Sequence, residues 1–160
     1  ISPSDSVNLN KDSTYDFGLE FDAKLNENLD LGPRFGFISK NLLTSGSNAA
    51  YTALKFGFGG RIYMMYWGET SSTHGFANLY VAGQVDFYNA NRSSAVVLTS
   101  PSTFSGLGVY GGAGVELAFG SNTGGFVEVG YQRTSIKSST NETLPLDGLI
   151  AAFGARLAFF

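Results

Sequence analysis

The sequence has no cysteine, one histidine and one tryptophan among its 160 residues. Without cysteine there are no disulfides and no thiolate metal sites, and the redox compartment stays undecided. Charge is also scarce. Lys and Arg number 10 and Asp and Glu 13, together 14% of the chain, against about a quarter in soluble domains. There is no basic run and the net charge is −3, which argues against a nucleic-acid partner. No apolar stretch approaches the roughly 18 residues of a membrane-spanning helix. No signal peptide is visible and the first residue is Ile1 rather than Met, which reads as a processed or trimmed chain.

What is abundant is aromatic and small. Phe occurs 14 times, Tyr 8 and Gly 21. The length suits one domain covering residues 1–160. Its dominant period is two. Tyr15, Phe17, Leu19, Phe21, Ala23 and Leu25 alternate with Asp16, Gly18, Glu20, Asp22 and Lys24. After Asn26–Asn28 the alternation resumes with Leu29, Leu31, Pro33, Phe35 and Phe37. Further strands are expected over 53–66, 76–89, 104–119, 126–134 and 146–159. Many run about 10 to 16 residues, long for an average strand and right for one crossing a bilayer at a tilt.

The connections at 26–28 and 120–125 are short, whereas 40–52, 90–103 and 135–145 are long and rich in Ser, Thr and Asn. Short turns on one rim and long loops on the other are the habit of transmembrane barrels. Alternation alone does not say which face points inward. Glycine helps: Gly18, Gly32, Gly36, Gly57, Gly59, Gly106, Gly108, Gly112, Gly114 and Gly130 all share the polar face. On a solvated face they weaken strands to no purpose; inside a narrow barrel they make room for long polar side chains. With residues 26–28 as a three-residue turn, Leu25 faces Leu29, Lys24 meets Asp30 and Glu20 meets Arg34. The same register sets Phe17 against Phe37 and Leu19 against Phe35. Opposite charges on one face and aromatics on the other predict an all-β, antiparallel up-and-down barrel with a polar lumen and a lipid-facing wall.

The last strand fits. Leu149, Ala151, Phe153, Ala155, Leu157 and Phe159 would face lipid and Arg156 the lumen. Its "GARLAF" resembles the C-terminal assembly signal of bacterial outer-membrane proteins. In order, "NLYVAGQVDFY", "FSGLGVYGGAGVELAFG", "GGFVEVGYQRTSIK" and "LDGLIAAFGARLAFF" resemble the last four strands of small eight-stranded outer-membrane barrels of the OmpA/OmpX/OmpW type. The first half matches through hairpin pattern alone. The resemblance implies a bacterial outer-membrane location and outer-membrane lipid as a partner. A protein partner would come through the loops or a neighbouring subunit.

Other motifs dissolve on inspection. Gly106 to Gly111 spell the G-x-G-x-x-G dinucleotide fingerprint, but that mechanism needs a helix N-terminus, and here the glycines sit inside an alternating strand. His74 stands without other ligands for zinc. A Ser71/Ser72–His74 pair resembling lipid hydrolases would lie on the periplasmic side, away from an outer-leaflet substrate. Asn141 in "NET" is a chance sequon in a loop. Tyr15, Phe37, Tyr66, Trp67, Phe87, Phe104, Phe119, Phe126 and Tyr131 read as interface girdles. Glu20, Asp22, Glu116 and Glu128 read as ion-pair partners of cations on the same face, not as catalytic acids. The structural lumen network is thus Glu20, Lys24, Asp30, Arg34, Arg61, Glu116, Glu128 and Arg156. A register centred near residue 122 would oppose Glu116 and Glu128, with Arg156 bridging them and Arg61 assisting from across the barrel.

No cofactor, metal or catalytic residue is expected, and the chain does not read as an enzyme. The expected role is structural or interactive, through extracellular loops over a plugged lumen. The alternatives are a small-solute pore, a soluble lipocalin-like barrel and a lipid-modifying outer-membrane enzyme. One feature resists. Barrels of this type need an even strand count, and the pattern supplies seven. Either residues 1–13 form an irregular first strand, or the first strand lies outside this chain, or a neighbouring subunit completes the sheet. The poor alternation of 1–13 tips the expectation towards an incomplete chain.

Overall fold

The computed structural model describes residues 12–44, 47–68, 76–93, 103–119, 123–144 and 146–157. They form one antiparallel sheet with no helix among them. Its segments are β1 (Asp12–Glu20), β2 (Ala23–Asn26), β3 (Leu29–Thr44), β4 (Ser47–Trp67), β5 (Ala77–Ser93), β6 (Thr103–Ala118), β7 (Thr123–Ser138), β8 (Thr143–Leu144) and β9 (Gly148–Leu157). β1 and β2 both pair with β3, and β8 and β9 both pair with β7, so each of these couples is one interrupted strand. Seven strands result, each beside its sequence neighbour, curled into an open half-barrel. An odd count makes the first and last strands run in the same direction.

The first hairpin has the predicted register over most of its length. Phe17 pairs with Phe37, Leu19 with Phe35, Glu20 with Arg34 and Lys24 with Asp30. The turn differs. Asn26, not Leu25, pairs with Leu29, and the ladder shifts between Lys24 and Asn26. The cause is local: the Asn28 N–H donates to Asn26 Oδ1 at 2.9 Å, a side-chain turn that draws Asn26 into the ladder. The break at 21–22 also has a cause. Phe21 N–H donates to Pro33 O at 3.1 Å, and Pro33 has no N–H to return.

Three expected loops are shortened. Residues 40–52 are not a long loop: β3 and β4 stay paired up to Thr44 and Ser47. Likewise β7 continues through Ser138, and β5 reaches Ser93. These strands run beyond the 9–11 residues that a bilayer crossing needs, and the excess lies at the rim opposite the short turns.

The face assignment inverts along each strand. In the turn-side half, Phe35, Phe56, Phe58, Val85, Val109, Val127 and Phe153 point outward and are exposed, while Arg34, Arg61, Asp86, Glu116 and Glu128 point inward and are buried. In the loop-side half the buried set is Ile38, Tyr51, Ala53, Tyr88, Ala90, Phe104, Ile136, Leu144 and Leu146, one continuous apolar cluster. The residues that alternate with it are Ser39, Thr52, Asn89, Ser105, Ser135 and Lys137. The paired registers contain no shift at this level; the shifts near Leu25 and Met64 are at the turn end. The pleat is therefore unchanged, and what switches is the residue type that each face receives.

Candidate functional site in the interior

The turn-side interior is organised by Arg61, in the turn-side half of β4. Its guanidinium donates to Glu20 Oε2 at 2.6 Å and to Asp22 Oδ2 at 2.9 Å, and its Nε lies 3.7 Å from Glu128 Oε2. One planar group thereby joins the first strand to the seventh-numbered segment across the curl. It is flanked by two rings, with its carbon 5.1 Å from the Tyr80 centroid and 4.9 Å from that of Phe126. Arg34 shares the same acids, pairing with Asp22 and lying 3.8 Å from Glu20. The fixed fork of arginine suits this double duty, which lysine's point charge does not.

Tyrosine hydroxyls engage other carboxylate oxygens. Tyr110 donates to Glu128 Oε1 at 2.7 Å and Tyr63 to Glu116 Oε2 at 2.9 Å. Glycine makes these reaches possible. A Cβ at Gly112 or Gly130 would stand 2.3 or 2.4 Å from the Tyr110 hydroxyl, and one at Gly114 would stand 2.6 Å from that of Tyr80. Above this layer Lys55 pairs with Asp16, and Asp86 accepts from Gln84 Nε2 at 2.7 and 2.6 Å. The apolar cluster follows, capped by Arg92, which pairs with Glu142 and donates to the Tyr51 hydroxyl at 2.8 Å.

Of the eight network residues, Glu20, Arg34, Arg61 and Glu128 meet in this cluster, and Glu116 lies on the same inner face through Tyr63. Asp30 is fully buried, with Lys24 as register partner on one side and Arg61 on the other. Lys24 itself is exposed. The expected opposition of Glu116 and Glu128 is wrong. Glu116 pairs with Phe126 and Glu128 with Gly114, because the hairpin is centred on residue 121, not 122. The two acids are set two residues off register, and Arg61, expected to assist, lies 3.7 Å from Glu128. Arg156 pairs through its backbone with Gly124, and its side chain lies outside the described residues. Sequence reasoning read Asp22 as an ion-pair partner on this face without placing it among the eight, and it missed Tyr63, Tyr80 and Tyr110. Their even spacing from the lumen glycines was the available signal.

Two expected girdle residues are interior instead: Phe104 is buried in the apolar cluster and Phe126 stacks on Arg61. Phe37, Phe87, Tyr131, Tyr66, Trp67 and Phe119 are exposed; the side chain of Tyr15 is outside the described residues. Ser71, Ser72 and His74 also lie outside them. Among the described residues no group of His, Asp and Glu is arranged to hold a metal ion. No protein family, no curated protein and no solved structure matches the chain.

Proposed function

We propose that the chain is the barrel of a bacterial outer-membrane protein, closed to solutes, with a structural or interaction role through the rim at which β3 joins β4 and β5 joins β6. The observation that carries this reading is the line where the outer face turns from apolar to polar. Among the residues whose side chains are described, the last large outward apolar ones are Phe37 on β3, Leu54 on β4, Phe87 on β5, Leu107 on β6, Tyr131 on β7 and Leu149 on β9.

That line does not follow the hydrogen-bond rows. Phe37 pairs with Leu54, but Leu54 pairs with Asn89, two residues above Phe87. Phe87 pairs with Leu107, but Leu107 pairs with Ser135, four above Tyr131, and Tyr131 pairs with Leu149. The line thus falls six residues (two plus four) over five pairings, always towards the short turns. At about 3.3 Å per residue and 4.8 Å between strands, that slope corresponds to a strand tilt of about 40°. Strands of membrane barrels tilt by roughly this angle to the bilayer plane's normal. From Leu54 to Met64 the outer apolar stripe of β4 runs ten residues, about 33 Å, which this tilt projects to about 25 Å, the height of such a barrel's apolar band.

The filled interior supports closure over the pore reading, since charge and apolar layers both span it. In hydrocarbon the edges of β1 and β9 need hydrogen-bond partners. The reading therefore requires a further strand from outside the described residues, of this chain or a neighbour, antiparallel to both.

The test is insertion into lipid vesicles followed by two measurements. Trp67, exposed at the turn-side rim, should be quenched better by lipids brominated near the headgroup than by those brominated at the chain ends. Planar bilayers containing the protein should show no large steady conductance. Partition into the aqueous phase without detergent would return the chain to the soluble-barrel reading.

A further inference from the structure

Along the described strands the outward face carries charge at just two positions, Arg133 and Lys137. Both are on β7, both are cationic and both are exposed. They begin two residues above Tyr131, where the outer face turns polar. Neither side chain has an ion pair or hydrogen bond among the described residues. The nearest acid in register, Asp147, is turned elsewhere: its Oδ1 accepts from the Thr134 N–H at 2.6 Å and the Thr134 hydroxyl at 2.9 Å. Hydroxyls surround the pair. Lys137 is flanked in register by Ser105 and Thr143, and Ser135 stands between the two cations on the same face. Leu107 and Val109, register partners of Ser135 and Arg133, and Val129 further towards the turns form an exposed apolar track that drops below the cations as the strands tilt.

We propose that Arg133 and Lys137, with the hydroxyls of Ser105, Ser135 and Thr143, seat the phosphate headgroup of an anionic lipid whose acyl chains lie along Leu107, Val109 and Val129. This rests on the membrane reading above. The placement matches the chemistry at each level. Acyl chains meet the apolar track, the phenol of Tyr131 sits at the boundary, and the cations stand at headgroup height. A guanidinium binds phosphate oxygens through two parallel N–H donors, and the ammonium and hydroxyls add single donors. Arg133 and Lys137 are four residues apart, roughly 13 Å along the strand, a span that their flexible side chains close over one headgroup. The restriction to one strand is the telling feature. Cations serving general solubility would be scattered around the polar rim, whereas here the neighbouring strands offer amides, hydroxyls and one carboxylate, Asp147, whose Oδ1 is taken up by Thr134.

The test uses the full chain in nanodiscs of phosphatidylcholine alone, or with phosphatidylglycerol as about one lipid in five, the anionic component that attracts surface cations. Insertion into phosphatidylcholine, read by protease protection, checks the membrane reading by itself; failure there removes both readings. Lipids retained on transfer to detergent are then counted by native mass spectrometry. The unaltered protein should retain phosphatidylglycerol over phosphatidylcholine. R133Q/K137Q should insert equally well and lose about five-fold of that preference per cation removed, while R133K/K137R should keep most of it. Normal insertion of R133Q/K137Q with undiminished preference would overturn the seat. Displacement of phosphatidylglycerol by millimolar inorganic phosphate would overturn the lipid as its source and leave a free-phosphate site.

Discussion

The two halves of the interior are built on one sheet with opposite chemistry. On the turn side, Arg34 and Arg61 hold Glu20, Asp22 and Glu128 behind a wall of outward Phe, Val and Leu. On the loop side, Tyr51, Tyr88, Phe104 and Ile136 pack together behind a wall of Ser, Thr and Asn. The pleat passes from one half to the other without a shift in register. A strand's polar face is therefore not a property of the strand. On the membrane reading proposed above it follows from what lies outside at each height: charge collects within where the surroundings would be lipid, and the core is apolar where they would be water.

The comparison is sharpest if one residue is removed from each half. Arg61→Ala should have the largest effect. It takes the cation from buried Glu128 and leaves Asp22 and the part-exposed Glu20 to Arg34 alone, and breaking a buried network by one partner costs about 3 to 5 kcal/mol. Phe104→Ala removes a buried ring from the apolar half and should cost about 3 kcal/mol or somewhat more through the cavity left behind. Unfolding in denaturant, with folded and unfolded forms separated on gels, measures both. The halves should differ in their double variants. Arg61→Ala and Glu128→Gln should couple by about 1 to 3 kcal/mol, because the second change removes a charge that the first stranded. Arg61→Ala and Phe104→Ala, in separate layers, should add. Coupling across the layers would dissolve the two-region description.

A second comparison moves outward, to the sloping boundary. Phe58→Lys puts an ammonium near the middle of the apolar stripe of β4, where a cation facing lipid costs about 2 to 4 kcal/mol. Thr52→Lys, six residues along the same face and above the line, should cost at most about 1 kcal/mol. Equal costs measured in lipid would mean that the line marks no change of medium.

The turn-side half was legible in the sequence because its two periodicities agree: Phe17, Leu19, Phe35 and Phe37 against Glu20, Lys24, Asp30 and Arg34. Pairs across one short turn fix each other. The loop-side half was not legible as structure. Its apolar residues switch parity between Ala53 and Leu54 and between Phe104 and Leu107, and a stretch that abandons its pattern looks like a loop. Ser- and Asn-rich strands around an apolar core have the composition of surface loops, so 40–52 and 135–145 read as connections. The hub role of Arg61 was hidden for another reason. Its partners come from β1 and β7, and no local register reveals contacts across the curl. The misplaced opposition of Glu116 and Glu128 came from centring one turn a single residue too late, which at a period of two moves every partner by two.

The smallest expected effect sharpens the contrast between faces with a single methyl group. Gly57 and Gly111 are both strand glycines, one on the inner face of β4 and one on the outer face of β6. Neither has a positive φ, so alanine meets no backbone penalty at either. What differs is the space. A Cβ at Gly57 would fall 2.1 Å from the Val85 carbonyl oxygen and 2.3 Å from Asp86 Oδ1. The carbonyl is held in the ladder and cannot swing aside as a side chain would, and Asp86 is tied to Gln84 and Tyr88. Gly57→Ala should therefore push β4 and β5 apart and cost about 1 to 3 kcal/mol, the usual price of overpacking. At Gly111 nothing lies within 4 Å of the added atom. There the methyl group only narrows the choices of the unfolded chain, and Gly111→Ala should stabilise the protein by about 0.5 kcal/mol. Opposite signs from one substitution, read as shifts in denaturant midpoint, would establish a filled interior and an open outer face. A neutral Gly57→Ala would show the opposite: an inner face with room to spare, and a lumen less closed than its charges and rings suggest.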